Sequence, residues 1–223
     1  MKVGIVIPAY NAERTIKNVL LQVLKFAAPD NVFVIDDGSS DRTYEIVKKL
    51  NVNVIRHQKN LGKGEALKSG FNELINLKFD AVLTMDSDGQ HSPEKIPEFI
   101  NIMENCQSDL VLGVRSLNFS NMPFDRVLSN KISSFIVSLA CGRAIKDSQC
   151  GFRLIRIEKL GDLILTGKRY ELESELIILA GIKGWNIDFC SIPVIYNGSG
   201  SSINRTVDTL RFCKMVVKMV GKR

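Results

Sequence analysis

Residues 81–91 read AVLTMDSDGQH: a mostly apolar run passes straight into the acidic pair Asp86 and Asp88, with Ser87 between them. In an α/β protein such a run is a buried strand, and its carboxyl end opens onto the crevice where ligands sit. Two carboxylates one residue apart repel each other there, and a divalent cation relieves the repulsion. Magnesium or manganese suits an all-oxygen donor set and bridges readily to substrate phosphates. Asp-Ser-Asp alone would equally be a polar turn. A second acidic strand end, VFVIDDGSSDRT at 32–43, tips the balance toward a site. Carboxylates such as Asp36 and Asp37 at a strand end accept hydrogen bonds from ribose hydroxyls or base N–H groups. The alternative is a turn followed by Asp41 as a helix cap, and Asp41 itself reads as that cap.

Around these two strands the pattern alternates. Lys2–Ile7 is an apolar strand ended by Pro8. Asn11 is expected to cap a helix reaching about Phe26, because Ile16, Val19, Leu20, Val23 and Leu24 recur at helical spacing. Strands are expected at 32–35, 52–55, 81–85 and 110–112, the last ended at Gly113. Helices are expected from Asp41 to Leu50, over 62–77 and from Ser92-Pro93 onward. Alternation of this kind specifies an α/β doubly wound, mostly parallel sheet with helices on both faces. The second half is less regular. A helix is expected over 124–140, a strand at 152–155, a helix over 172–181, and one or two strands between Ile187 and Ile195 broken at Pro193. Residues 116–123 and 197–204 (NGSGSSIN) read as candidate lids.

Composition bounds the function. The chain has 223 residues, 45% hydrophobic and 24% charged, as in an ordinary globular protein. Its five cysteines form no Cys-x-x-Cys pair and it has two histidines, which argues against a disulfide framework or a zinc site. No secretory signal is apparent, and no segment reaches the roughly 18 apolar residues of a membrane span. Net charge is +6, and residues 205–223 hold six basic residues against the single acid Asp208. Met215, Val216, Val217, Met219 and Val220 interleave with those cations. The segment therefore reads either as a membrane-surface helix or as a solvated helix packed on the domain. Nucleic acid is not an expected partner, since the patch has one aromatic residue, Phe212.

Two further segments carry chemistry. IPAYN at 7–11 offers Tyr10, which either presents a flat face to a base or fills the core. NLGKGEALKSGF at 60–71 sets Lys63 between Gly62 and Gly64 at a helix start, where glycines admit a phosphate and a helix N-terminus favours an anion.

IPAYN, VIDDGSSDRT, NLGKGEALKSGF and MDSDGQH, in this order and spacing, resemble the family 2 glycosyltransferases of the GT-A (Rossmann-like) fold. DSQCGFRL at 147–154, YELESEL at 170–176, IPVIYNGSGSSIN at 192–204 and DTLRF at 208–212 are similar to the polyprenyl-phosphate hexosyltransferases, namely dolichyl-phosphate mannose synthases and dolichyl-phosphate glucosyltransferases. The resemblance covers nearly the whole chain. It implies a single GT-A domain over 1–223, with a nucleotide-sugar-binding half at 1–115, an acceptor side at 116–204 and a basic helix at 205–223.

The resemblance also implies roles. Asp86, Asp88 and Gln90 would hold Mg2+ or Mn2+ against the donor diphosphate, with Asp88 essential to catalysis. Pro8, Tyr10, Glu13, Asp36, Asp37, Lys63 and Asp86 would bind the nucleotide sugar. Arg115 would face the transferred groups as a second catalytic residue, and Arg126 and Arg205 would meet the acceptor phosphate. Guanidinium groups suit phosphate oxygens. Glu171, Glu173 and Glu175 are read as structural or acceptor-side rather than as a base. The chain departs from the family pattern at Ser202, where many relatives carry a lysine that reaches the diphosphate. Arg205 is the nearest substitute.

The implied reaction moves a hexose from a nucleotide-diphosphate sugar, of the GDP-mannose or UDP-glucose type, to a polyprenyl monophosphate. It would invert the anomeric centre at the cytoplasmic face of a membrane. Phe119, Met122, Phe124, the apolar face of Ile132–Leu139 and the basic tail are candidates for the membrane contact. A soluble glycan or protein acceptor, and a non-catalytic nucleotide-sugar binding module, are the alternatives. A sugar nucleotidyltransferase would want a glycine-rich, arginine-bearing loop in place of IPAYN, and a signalling receiver domain would be about half as long.

Overall fold

The computed structural model describes residues 1–115, 124–195 and 205–220, with the side chains of 124–126, 205–208, 210 and 220 outside the description. Seven strands form one sheet: β1 (Val3–Ala9), β2 (Val32–Asp36), β3 (Asn53–Arg56), β4 (Ala81–Thr84), β5 (Leu110–Arg115), β6 (Arg153–Arg156) and β7 (Ile187–Ile192). Their order is β3-β2-β1-β4-β6-β5-β7. Every pairing is parallel except those of β6, which runs antiparallel to both β4 and β5. Helices are α1 (Ile16–Val23), α2 (Thr43–Lys48), α3 (Lys63–Asn76), α4 (Ile96–Asn105), α5 (Phe124–Cys141), α6 (Ile157–Leu160), α7 (Glu171–Ile182) and α8 (Arg205–Val220).

Alternation along the strands divides the interior into two cores. Ile5, Ile7, Val32, Val34, Leu83 and Val111 point to one face, where α1, α2 and α4 supply Ile16, Leu20, Val47, Phe99 and Met103. Val6, Phe33, Ile35, Val82, Leu110 and Leu112 point to the other. That face is covered by α3, α5, α7 and α8 through Leu74, Val137, Ile177 and Met215. Strands buried on both faces are the reason their sequences read as unbroken apolar runs.

Some expected boundaries move, each for a visible reason. β1 continues through Pro8. The Val6 carbonyl accepts from Met85 N–H and the Ala9 carbonyl from Asp37 N–H. Alternation therefore turns Pro8 toward the β4 side, beyond the last β1–β4 pair Val6↔Thr84, where no ladder bond is lost. Asn11 does not cap α1. It takes a left-handed conformation, its side-chain oxygen accepts from Ser40 N–H at 2.9 Å, and the helix starts only at Ile16. Asp41 lies one residue before α2's cap position, which Arg42 takes, yet it accepts Thr43 N–H at 2.9 Å and Glu13 N–H at 3.0 Å. β5 passes Gly113 and carries Arg115 to the rim, and β7 is one strand ending before Pro193. α8 packs on the domain by burying Met215 and Met219. No helix among the described residues is long and apolar enough to cross a membrane.

Candidate active site

The carboxyl ends of β1, β2, β4 and β5 converge on one rim. β6 is reversed, so the segment entering it, Asp147–Phe152, reaches the same rim from the opposite direction, with Thr84 paired to Arg153. β1 lies between β2 and β4, the position where strand order changes direction and a crevice opens.

At the centre Lys63 Nζ lies 2.5 Å from Asp86 Oδ1 and 3.2 Å from Glu173 Oε2. Burial works against the ammonium, but the two carboxylates outweigh it and hold the pKa of Lys63 above the usual lysine range. Burial likewise works against the Asp86 carboxylate. Lys63, with His91 and Arg153, overcomes it and keeps Asp86 at a pKa of about 2. The glycines flanking Lys63 serve protein rather than phosphate. Gly62 has φ +103°, and a Cβ there would lie 2.5 Å from the Lys168 carbonyl oxygen, while one on Gly64 would lie 2.6 Å from Lys168 C. Glu65 N–H, in the first turn of α3, donates to that same carbonyl at 3.1 Å. The loop is thus backed by the 168–169 backbone, which packs against both glycines.

Asp88 has the opposite electrostatics. Burial and the neighbouring Asp86 charge both raise its pKa, and Gln90 N–H donating to Oδ1 at 2.9 Å offsets only part of this. Its carboxylate is an under-compensated oxygen donor, with the Gln90 side chain half-buried beside it. Among the described residues no three His, Cys, Asp or Glu side chains gather as a metal cage. Asp86 and Asp88 present only oxygen donors at this rim, the donor chemistry that a hard cation such as Mg2+ takes. Asp88 also lines a cavity of about 300 Å3 with Arg14, Asn18, His91 and Ile195.

Three residues of this cluster were not assigned a site from the sequence. His91 is buried and stacked on Phe152, and its Nδ1 accepts Asp86 N–H at 3.1 Å. Burial, reinforced by Lys63 and Arg115 and opposed by Asp86, lowers its pKa to about 4, so it is neutral near pH 7. Gly151 abuts the acids: a Cβ there would lie 2.8 Å from Asp86 Oδ2 and 3.0 Å from Glu173 Oε1. Asp147 is fully buried and pairs with Arg115 at two points, Nε to Oδ2 at 2.8 Å and Nη2 to Oδ1 at 3.0 Å. Asn130 Nδ2 donates to the same Oδ1 at 2.8 Å. MDSDGQH and DSQCGFRL flagged these segments, but nothing local indicates which side chain faces the crevice.

The glutamates of α7 divide by role. Glu175 is buried and accepts from Thr166 N–H, Thr166 Oγ1 and Gly167 N–H. Glu171 accepts from Lys168 and Arg169 N–H. Both are structural, and Glu173 alone joins the crevice.

At the carboxyl end of β1 Tyr10 is 50% exposed, so it is an open face and not a core tyrosine. Pro8, two residues earlier in β1, is buried. Glu13 accepts from Arg42 N–H at 3.2 Å and Nε at 3.3 Å. Asp36 is fully buried and accepts Ser39 N–H, with Arg56 Nε 3.1 Å from Oδ2 but off the line of a hydrogen bond. Asp37 accepts Leu61 N–H and Gly62 N–H and meets His57 Nδ1 at 2.7 Å. Both carboxylates pin the rim together in this structure. The side chains of Arg126 and Arg205, and residues 116–123 and 197–204 with Phe119, Met122 and Ser202, lie outside the described residues.

The rim therefore combines acidic oxygen donors, a charged lysine and an arginine, arranged at the switch point of a seven-stranded mixed sheet. This is the GT-A type of α/β fold. The chain matches Glycosyl transferase family 2 over residues 4–164 and belongs to that family of enzymes. It is 36% identical to a UDP-N-acetylglucosamine–dolichyl-phosphate N-acetylglucosaminyltransferase of Methanococcus voltae, covering 98% of this chain and 96% of that one. It is 32% identical to a dolichol-phosphate mannosyltransferase of Pyrococcus furiosus over 80% of this chain and 53% of that one. In fold it is similar to glucosyl-3-phosphoglycerate synthase of Mycobacterium tuberculosis in complex with UDP, with TM-score 0.77 and 19% identity over 99% of this chain and 80% of that one. Other crystal structures of that synthase hold Mn2+ or Mg2+ together with UDP.

Proposed function

We propose that this enzyme transfers a hexose or N-acetylhexosamine from a nucleotide-diphosphate sugar to a polyprenyl monophosphate. The observation that carries the reading is the rim itself. An under-compensated Asp88 sits beside Asp86 and Lys63, and a separately anchored Arg115 stands on the β5 side. Relatives named as dolichyl-phosphate glycosyltransferases, one of them matched along nearly its full length, support the acceptor class.

In this reading the base and ribose lie against Tyr10, Pro8 and Glu13, near the Asp36–Asp37 turn. Lys63 keeps Asp86 ionised and adds positive charge near the diphosphate. Asp86, Asp88 and Gln90 hold Mg2+ or Mn2+, which when bound supplies charge stabilisation for the departing nucleoside diphosphate. Arg115, with its planar donors fixed by Asp147, orients the acceptor, and Arg126 and Arg205 assist at its phosphate. Residues 1–115 serve the donor and 116–204 the acceptor.

The acceptor phosphate is already anionic at neutral pH. One of its oxygens attacks the anomeric carbon as the bond from that carbon to the diphosphate oxygen breaks, and the electron pair leaves with the nucleotide. No proton has to be removed, so no general base is needed, and Glu173 serves the charge of Lys63 instead. Attack opposite the leaving group inverts the centre, giving a β-linked product from an α-linked donor.

The test is a panel of radiolabelled UDP-N-acetylglucosamine, UDP-glucose and GDP-mannose with a polyprenyl phosphate and Mg2+ or Mn2+. Label from one donor is expected in the organic phase, as an acid-labile lipid. Transfer only to a soluble acceptor, or release of free sugar alone, would sink the proposal.

A further inference from the structure

Four large apolar side chains stand exposed in a line along α5: Leu128 (46%), Ile132 (51%), Phe135 (63%) and Leu139 (64%). At 100° per residue they fall within an arc of about 60°. The opposite face of the same turns buries Val127, Asn130, Ser134, Val137 and Cys141. α5 is therefore buried on one face and apolar toward solvent on the other, which a soluble surface helix avoids.

Charge identifies what the outer stripe fits. Residues 127–146 contain no Asp or Glu, and the charged side chains along them, Lys131, Arg143 and Lys146, are all exposed cations. α8, packed beside α5, adds the exposed Lys214 and Lys218. A second copy of this chain would oppose cation to cation across the stripe, with no acid on it to pair them. An anionic bilayer surface offers both an acyl boundary for the stripe and phosphates for its frame.

The stripe is also continuous with the site. Asn130, one turn inside the exposed Leu128 and Ile132, donates to Asp147, which holds Arg115. A membrane against the outer face of α5 lies one helix diameter from the acceptor side of the crevice, about 10 Å.

We propose that the Leu128–Ile132–Phe135–Leu139 stripe is the surface through which this protein seats on an anionic lipid bilayer, delivering the lipid phosphate to the Arg115–Asp147 end of the crevice. The delivery half rests on the polyprenyl-phosphate reading above, and the docking half does not.

Full-length protein is mixed with vesicles of phosphatidylglycerol and phosphatidylcholine, or of phosphatidylcholine alone, and sedimented. The parent is expected to partition onto the anionic vesicles. The combined variant Leu128→Gln, Ile132→Gln, Phe135→Gln, Leu139→Gln is expected to lose partitioning by about tenfold or more. A separate Phe135→Trp variant reports insertion, since the single native tryptophan, Trp185, is buried. Its emission should shift to the blue with anionic vesicles. Unchanged sedimentation of the combined variant, or no emission shift while the parent binds, overturns the proposal. So does a parent dimer that the combined variant abolishes without change in vesicle binding. Turnover on a short, water-soluble isoprenyl phosphate should be equal in parent and combined variant. If no polyprenyl phosphate of any length is glycosylated while vesicle binding still depends on the stripe, the acceptor reading fails and the docking surface stands.

Discussion

Arg115 and Asp147, 32 residues apart in the chain, form a two-point ion pair in which the carboxylate is wholly buried. The pair couples the end of β5 to the segment entering β6, and so fixes the β5 side of the rim. Removing one partner of a buried pair leaves the other uncompensated, at a cost of about 3–5 kcal/mol. Asp147→Asn should lower the urea midpoint accordingly and reduce turnover. A midpoint within error of the parent would show that the pair is not structural.

The same carboxyl gives the enzyme an acid limit. Burial favours the neutral acid, but Arg115 and Asn130 outweigh it and hold Asp147 below its ordinary 3.8. A carboxyl depressed on folding stabilises above its unfolded pKa and loses that contribution as pH falls through its folded pKa. Urea midpoints should vary little from pH 7 to 5 on this account and fall below about pH 4. Asp147→Asn should shallow that fall, and an acid limb identical to the parent's would remove Asp147 from the account.

Gly151 leaves no room for a methyl group, because its Cβ would sit 2.8 Å from Asp86 Oδ2. Overpacking costs about 1–3 kcal/mol, and the atom that must yield is a carboxylate already held by Lys63. Gly151→Ala should cut turnover by about tenfold or more, equivalent to about 1.4 kcal/mol in the barrier, and raise the metal concentration needed for half-maximal rate. Titrating Mn2+ against rate separates this from a simple loss of folded protein.

Asp88→Asn should abolish turnover and leave the fold intact. The ionised carboxylate is disfavoured in the folded state by burial and by Asp86, so a neutral isostere removes a cost rather than a support. Thermal unfolding should occur at the parent temperature or above it. Near-parent activity would displace Asp88 from the centre of the mechanism.

Lys63→Met should be worse for stability than Asp88→Asn, because it leaves Asp86 and Glu173 facing each other without their shared cation. Nucleotide affinity, read by calorimetry with UDP and GDP, should fall as well. Unchanged nucleotide binding would confine Lys63 to the internal ion pairs.

Cysteine reactivity reports the two cores independently. Burial pushes the Cys150 and Cys190 thiols up to about 12, opposed by Arg115 at Cys150 and reinforced by Glu98 at Cys190. Cys141 is buried, whereas Cys106 and Cys213 are exposed. Thiolate is the nucleophile, so iodoacetamide at pH 8 should modify Cys106 and Cys213 first in the native protein, and all five thiols after denaturation. Rapid native labelling of Cys150 would contradict its burial beside Phe152.

Local pattern was enough for much of this protein. Apolar runs ending in Asp36-Asp37 and Asp86-Ser-Asp88 marked two strands and the edge they share, because strand burial and a charged rim are written in adjacent residues. The helices over 63–76, 124–141 and 171–182 followed from spacing in the same way. Asn11 failed as a cap because its side chain is taken by Ser40, a contact 29 residues away. Tyr10 could be core or platform until its exposure was known.

The reversal of β6 is what carries Asp147 and Gly151 to the rim, and no periodicity distinguishes a parallel from an antiparallel strand. The partition of three glutamates on one helix into two structural braces and one crevice residue has the same origin. Glu173 meets Lys63 across 110 positions of chain, and only the folded packing of α7 on the loop before α3 brings them together. Side-chain type and spacing are properties of neighbours along the chain. Compensation of a buried charge depends on whichever distant group the fold places beside it, and that pairing sets which of these residues can act.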